Sequence, residues 1–216
     1  MRQNKLQKSR SGFTLIELMV AVGLFSLIII VGAGALLNTN FVRKNTETVR
    51  AVVDNLNFVM EDMSRNIRLG SLYSCDDSGG YYSDASGLFA SPLGMTIPTD
   101  STPLSCPNGS GIFSFESVEG DPTNEDDQNG YVFITNASNQ AKLYKTVDGG
   151  DTWLSLTPPE VMLDPIHSGF TVIGSDSDPD FIQPLTVIRL SGQVMYKGTV
   201  TPFSIETSVS QRLLES

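Results

Sequence analysis

Proline is missing from one long stretch of the chain, Phe13 to Leu69, and histidine, cysteine and tryptophan are scarce throughout: one His, two Cys and one Trp in 216 residues. A proline-free stretch of that length permits an uninterrupted helix. One His and two Cys supply fewer nitrogen and sulfur ligands than the four of a structural zinc site. Bases run short after residue 70, where five Lys and Arg face 19 acids. Phosphate binding needs a basic footprint, so no nucleic-acid partner is expected. There is no P-loop, G-x-S-x-G elbow, C-x-x-C pair or H-E-x-x-H helix. Nothing nominates a catalytic residue, a cofactor or a metal, and the expectation is a protein that is not an enzyme.

What the chain does have is an uneven spread of charge. Of the formal −10, residues 1–12 contribute +4 through Arg2, Lys5, Lys8 and Arg10, residues 13–70 balance five bases with five acids, and the rest carries −14. The length suits one ordinary domain with an appendage. Four segments follow: a basic leader at 1–12, an apolar helix at 13–37, an amphipathic continuation at 38–69, and an acidic domain at 70–216.

From Phe13 to Leu37, 19 of 25 residues are apolar and Glu17 alone is ionisable. As a helix this run is roughly 37 Å long, enough to cross a hydrocarbon core of about 30 Å with some tilt. The basic leader keeps residues 1–12 cytoplasmic and sends the acidic domain outward across the cytoplasmic membrane in a single pass. Arg43 and Lys44 beyond the run make that bias four against two.

Glu17 is the puzzle of this segment. A lone carboxylate inside a membrane span costs about 2.5 to 3.5 kcal/mol at mid-helix, less near the interface, and needs a partner. The preceding residues, Ser11-Gly12-Phe13-Thr14-Leu15-Ile16, offer one if the chain is cut after Gly12. The new α-amino group of Phe13 is then mostly cationic at neutral pH and lies four residues from Glu17. The amine of a neighbouring subunit would serve equally well, which would make Glu17 a register device for packing helices.

Lys8 to Glu17 resembles the N-terminal signal of the type IV pilin and pseudopilin superfamily: a basic leader, Gly12 as its last residue, Phe13 as the new N-terminus and Glu17 at the assembly position. The resemblance implies cleavage after Gly12 by a prepilin peptidase, N-methylation of Phe13, and packing of the apolar helix among other pilin or pseudopilin subunits. It also implies an inner-membrane assembly platform and membrane lipid as partners. A different reading stands beside it. Ala33-Gly34-Ala35 is an A-x-A pattern after an apolar run, as in a secretory signal peptide, and would place the mature N-terminus at Leu36. An acid within the run, and its length beyond the usual 7 to 15 residues, count against that reading.

Beyond the span, Val49, Val52, Val53, Leu56, Val59, Met60, Met63 and Ile67 recur at helical spacing as one stripe, with Arg50, Asp54, Asn57, Glu61 and Arg65 opposite. Gly70 is a natural stop, so a single helix of about 56 residues, roughly 84 Å, is expected. Gly32, Gly34 and Asn38 to Asn40 are its weakest section by propensity.

Residues 71–111 are rich in Ser, Gly, Asp and Pro and read as irregular chain. Cys75 and Cys106 would close a ring of about 32 residues outside the membrane, worth roughly 3 to 4 kcal/mol; two free buried thiols are the alternative. Short β-branched or alternating runs follow at Ile112–Val118, Tyr131–Thr135, Ala141–Thr146, Thr152–Leu156, Phe170–Ile173, Leu185–Ser191, Gln193–Lys197 and Phe203–Val209. In the last run Phe203, Ile205, Thr207 and Val209 share one face, the mark of a strand buried on one side. The expected fold is α+β: a mainly antiparallel sheet packed on the outer half of the long helix, as in pilins. The ending Thr207-Ser208-Val209-Ser210-Gln211-Arg212 is similar to the ends of J-type minor pseudopilins.

Four further features could carry chemistry. Thr146-Val147-Asp148-Gly149-Gly150-Asp151-Thr152-Trp153 resembles an Asp-box, the hairpin repeated in sialidase propellers; with one copy it reads as a self-stapled turn. Asp176, Asp178 and Asp180, and Glu125-Asp126-Asp127, read as solvated acidic turns, with calcium as the alternative. His167, between Pro165 and Gly169, reads as a loop residue. The function expected is a minor pilin or pseudopilin, a structural subunit of a type IV pilus or type II secretion filament; the alternative is a membrane-anchored adhesin or binding module.

Overall fold

A computed structural model describes residues 12–76, 81–83, 103–176 and 183–212. The chain divides into two compact units, Met1–Glu47 and Thr48–Ser216. One helix, α1 (Leu15–Leu69, 55 residues), runs unbroken through both sequence ranges. Its weak section at Gly32 to Asn40 is helical throughout.

In the first unit the apolar side chains of α1 are bare. Every large apolar residue from Leu15 to Val31 is at least half exposed, and an 18-residue window here is long and apolar enough to cross a membrane. Its hydroxyls are satisfied within the helix: Ser26 Oγ donates to the Val22 carbonyl at 2.8 Å and Thr39 Oγ1 to Ala35 at 2.9 Å. Such back-bonding lets a polar side chain reside in an apolar span.

In the second unit the same helix is amphipathic. Val52, Leu56, Val59, Met60, Met63 and Ile67 are buried, and Val49 packs against them. Each fully buried side chain contributes on the order of 1.5 to 3 kcal/mol. Polar contacts set the register: Lys145 Nζ reaches Asp62 at 3.2 Å, and the Tyr73 hydroxyl donates to the Ile67 carbonyl. The helix stops at Gly70, whose amide donates to Asn66 and Ile67 carbonyls. A Cβ there would lie 2.3 Å from the Phe115 ring, so only glycine lets the sheet approach the helix end this closely.

The sheet contains β1 (Ser71–Cys75), β2 (Tyr82–Ser83), β3 (Cys106–Ser110), β4 (Ile112–Glu116), β5 (Asn129–Thr135), β6 (Ala141–Thr146), β7 (Leu154–Ser155), β8 (Val161–Leu163), β9 (Gly169–Ile173), β10 (Leu185–Tyr196) and β11 (Thr199–Ser210). The main path is β1-β4-β5-β6-β8-β10-β9-β3; β11 flanks β10, β7 pairs with β6, and β2 pairs with β5. Every pairing is antiparallel except β2 with β5. The Cys75–Cys106 disulfide, with Cα atoms 6.1 Å apart, ties the two end strands of this path to each other. Between them lies an aromatic core. Tyr73, Phe113, Phe115, Tyr131, Phe133 and Phe170 are buried, with neighbouring ring centroids 5.3 to 6.4 Å apart.

The α+β arrangement expected from the sequence is present, and β11 shows the alternation read at Phe203 to Val209. Three details differ. Residues 71–75 and 106–110, read as irregular, are strands: pairing with β4 and β9 overrides their Ser, Pro and Gly content, at the cost of register irregularities in both. The runs Leu185–Ser191 and Gln193–Lys197 are one strand. Gly192 continues it because β8 crosses there so closely that a Cβ would lie 2.3 Å from the Met162 carbonyl oxygen. That strand ends at Tyr196, since Lys197 and Gly198 both take positive φ to form the two-residue hairpin loop before β11. The short β8 was not foreseen.

Candidate functional site

Gly12 and Phe13 lie outside the helix, Thr14 caps it, and Glu17 occupies its first turn. The Glu17 amide donates to Thr14 Oγ1 at 3.3 Å and the Leu18 amide to the Thr14 carbonyl at 3.2 Å. Thr14-Leu15-Ile16-Glu17 therefore has the T-x-x-E spacing of a capping box, with Glu17 at its third helical position. A carboxylate there also complements the positive end of the helix dipole. The sequence contained this signal, and reading Glu17 only as an assembly residue missed it.

The geometry leaves the Gly12–Phe13 bond accessible. Among the described residues nothing lies within 4 Å of where a Gly12 Cβ would be, and Phe13 is 84% exposed. Glu17 is exposed on the helix surface. The basic residues of the leader fall outside the described residues. Ala33-Gly34-Ala35, the rival cleavage pattern, is helical and in mid-element.

The other residues singled out from the sequence have structural roles. Thr146 Oγ1 accepts from the Gly150 amide at 3.1 Å, Asp148 Oδ1 accepts from the Thr152 amide at 2.9 Å, and Trp153 Nε1 donates to the Gly150 carbonyl at 2.8 Å. The Thr146 hydroxyl, then that of Thr152, holds the Asp148 carboxyl below its ordinary range. Trp153 packs beside Val132, Ile134 and Tyr144, so the Asp-box segment staples its own turn. His167 Nδ1 lies 2.6 Å from Asp164 Oδ2 in an exposed turn. Asp176 accepts from the Ser105 amide at 2.8 Å; Asp178 and Asp180 lie outside the described residues.

Glu116, which sequence reading passed over, is buried at the end of β4. Burial, then the charge of Asp127, pushes its carboxyl above the usual range, while the Ser117 amide opposes the shift. Asp127 belongs to the 3₁₀ turn Glu125–Asp127, and its Oδ2 accepts from the Asp121 amide at 3.0 Å. Among the described residues no three His, Cys, Asp or Glu side chains converge as a metal-holding group.

A capped helix with a bare apolar surface, long enough to cross a membrane, fits a membrane-anchored single-pass chain. The comparison with protein families agrees: residues 7–33 match the prokaryotic N-terminal methylation motif, the signature of type IV pilins and pseudopilins. That motif implies processing by a prepilin peptidase and assembly with other pilin subunits, and its family is structural. Neither a curated protein nor a solved structure matches the chain.

Proposed function

We propose that the chain is a minor pilin or pseudopilin, a structural subunit of a type IV pilus or type II secretion filament. In this reading the precursor sits in the cytoplasmic membrane with residues 1–12 inside and the acidic domain outside. It is cut after Gly12, methylated on Phe13 and moved into a filament by the assembly platform, with Glu17 pairing to an N-terminal amine. The observation that carries the reading is the motif match at 7–33 ending in a capped helix whose apolar surface is bare. The large, non-repetitive acidic domain favours a low-copy position, because a bulk subunit must tessellate with identical copies.

Mass spectrometry of the mature N-terminus, with and without prepilin peptidase, tests the first step. A methylated Phe13 N-terminus that appears only with the peptidase is expected; a start at Leu36 would refute the reading. Glu17→Ala tests the second. The variant should still be cleaved, yet its recovery in sheared filaments should drop at least about tenfold, the effect of losing one buried charge pair. Unchanged recovery would instead mark a membrane-anchored binding module.

A further inference from the structure

We propose that the hollow where β8, β10 and β11 meet the β5–β6 turn is a binding site for a neutral carbohydrate, a mono- or disaccharide in size. The inference is independent of how the N-terminus is processed.

The hollow has a volume of about 410 Å³, within the range of about 300 to 1,000 Å³ typical of small-ligand sites. Strand register builds it. Gln193 of β10 stands opposite Met162 of β8 and Pro202 of β11, so the three side chains rise side by side from one face of the sheet. Beside them Gly192 contributes no side chain to fill the space, and the half-buried Phe203 lines it. A polar amide is thus held between apolar neighbours.

Two amides at the hollow are uncommitted. The β5–β6 turn is closed by Asn136, whose Oδ1 accepts from the Ser138 and Gln140 amides, both at 3.0 Å, and whose Nδ2 donates to Gln140 Oε1 at 3.2 Å. The side chain of Asn139, on a backbone at φ 55°, takes no part in that network. Gln193 is half-buried in mid-strand. Neither side-chain amide has a hydrogen-bond partner among the described residues. Half-buried amides ordinarily find partners, so a ligand has two of them to satisfy.

The chemistry of the lining selects the ligand. Among the described residues no Lys, Arg or His lines the hollow, and Asp164 adds a carboxylate, so an anion is disfavoured. That carboxylate is itself occupied: Oδ1 accepts from the Ile166 amide at 2.9 Å and Oδ2 lies 2.6 Å from His167 Nδ1, so it is no free counter-charge for a cationic ligand. Here β10 is paired on both sides, by β8 and by β11, and the hollow offers no strand edge to a peptide. A purely apolar ligand would strand both amides. A pyranose meets every condition. Each primary amide presents a donor and an acceptor to neighbouring hydroxyls, while the C–H face of the ring rests on Met162, Pro202 and Phe203.

The test uses the full chain in a zwitterionic detergent without a sugar headgroup, and saturation-transfer NMR with methyl glucoside, methyl galactoside and N-acetylglucosamine as probes. At least one should receive transfer on its ring protons, with a dissociation constant on the order of 1 mM, the scale for a ligand of about a dozen heavy atoms. Gln193→Ala should weaken binding about fivefold, the loss of one hydrogen bond. Asn139→Gly, which suits the positive φ, should do the same, and the two together should abolish the signal. All three variants should melt with the unsubstituted chain by the fluorescence of Trp153, its only tryptophan, so lost binding is not lost fold. No transfer to any probe at about 10 mM, transfer that survives the double substitution, or displacement by cyclohexanol as readily as by sugar would overturn the proposal.

Discussion

The two units treat apolar residues in opposite ways. Before residue 32, α1 is apolar around its whole circumference and its large side chains are bare; after Thr48 most of the large apolar residues fall on one stripe that is buried under the sheet, Phe58 and Leu69 being the exposed exceptions. The difference shows what periodicity adds to hydrophobicity. A helix apolar on all sides has no single face to give to its own domain and must be covered by lipid or other helices, whereas a stripe specifies one partner surface. Charge follows the same division, because the acids concentrate in the part that keeps its own core.

Matched truncations on either side break the comparison most sharply. Leu56→Ala removes a fully buried side chain and should cost roughly 2 to 5 kcal/mol in denaturant unfolding of the β-rich unit. Leu27→Ala, at a site 60% exposed, should leave that unfolding curve within about 0.5 kcal/mol and lower filament recovery instead. Equal effects on stability would erase the distinction.

The disulfide sharpens the comparison from the other side, since both of its cysteines lie in the unit with its own core. Replacing Cys75 and Cys106 together by Ser should lower the stability of that unit by roughly 3 to 4 kcal/mol, from the loop-closure entropy of the ring it closes. Cleavage after Gly12 should proceed as before. Intact-mass analysis of the leader and urea unfolding of the body read the two results separately.

The smallest effect concerns acid. The Asp148 carboxyl is held below its ordinary value of 3.8 by the Thr146 and Thr152 hydroxyls. A depressed folded value means that its stabilisation is present above pH 3.8 and is lost as pH falls through the lowered value. Asp148→Asn should therefore flatten the acid limb of the melting profile while hardly changing the apolar helix. An unaltered limb would mean that the turn does not depend on this charge.

Much of the N-terminal third was legible without the structure, because its signals are local. The unbroken helix follows from missing proline and a stop at Gly70, the stripe from spacing, and the motif from consecutive residues. The Asp-box turn and the alternating β11 were legible for the same reason. Capping by Thr14 was equally local and went unread. Cys75 and Cys106 were a natural pair by count.

Other features were settled by distant segments meeting. Nothing local makes strands of Ser71–Cys75 and Cys106–Ser110, which form because β4 and β9 offer them edges. Gly192 looks like a strand breaker until β8 is seen to cross it. Glu116 looks like one acid among many until burial strips its water and Asp127 is brought beside it. The sequence by itself determined the long apolar helix, the methylation motif and the amphipathic stripe, because each is written in spacing along one element. The order of the strands and the burial of Glu116 were decided only by tertiary structure, because pairing and desolvation depend on residues far apart in the chain.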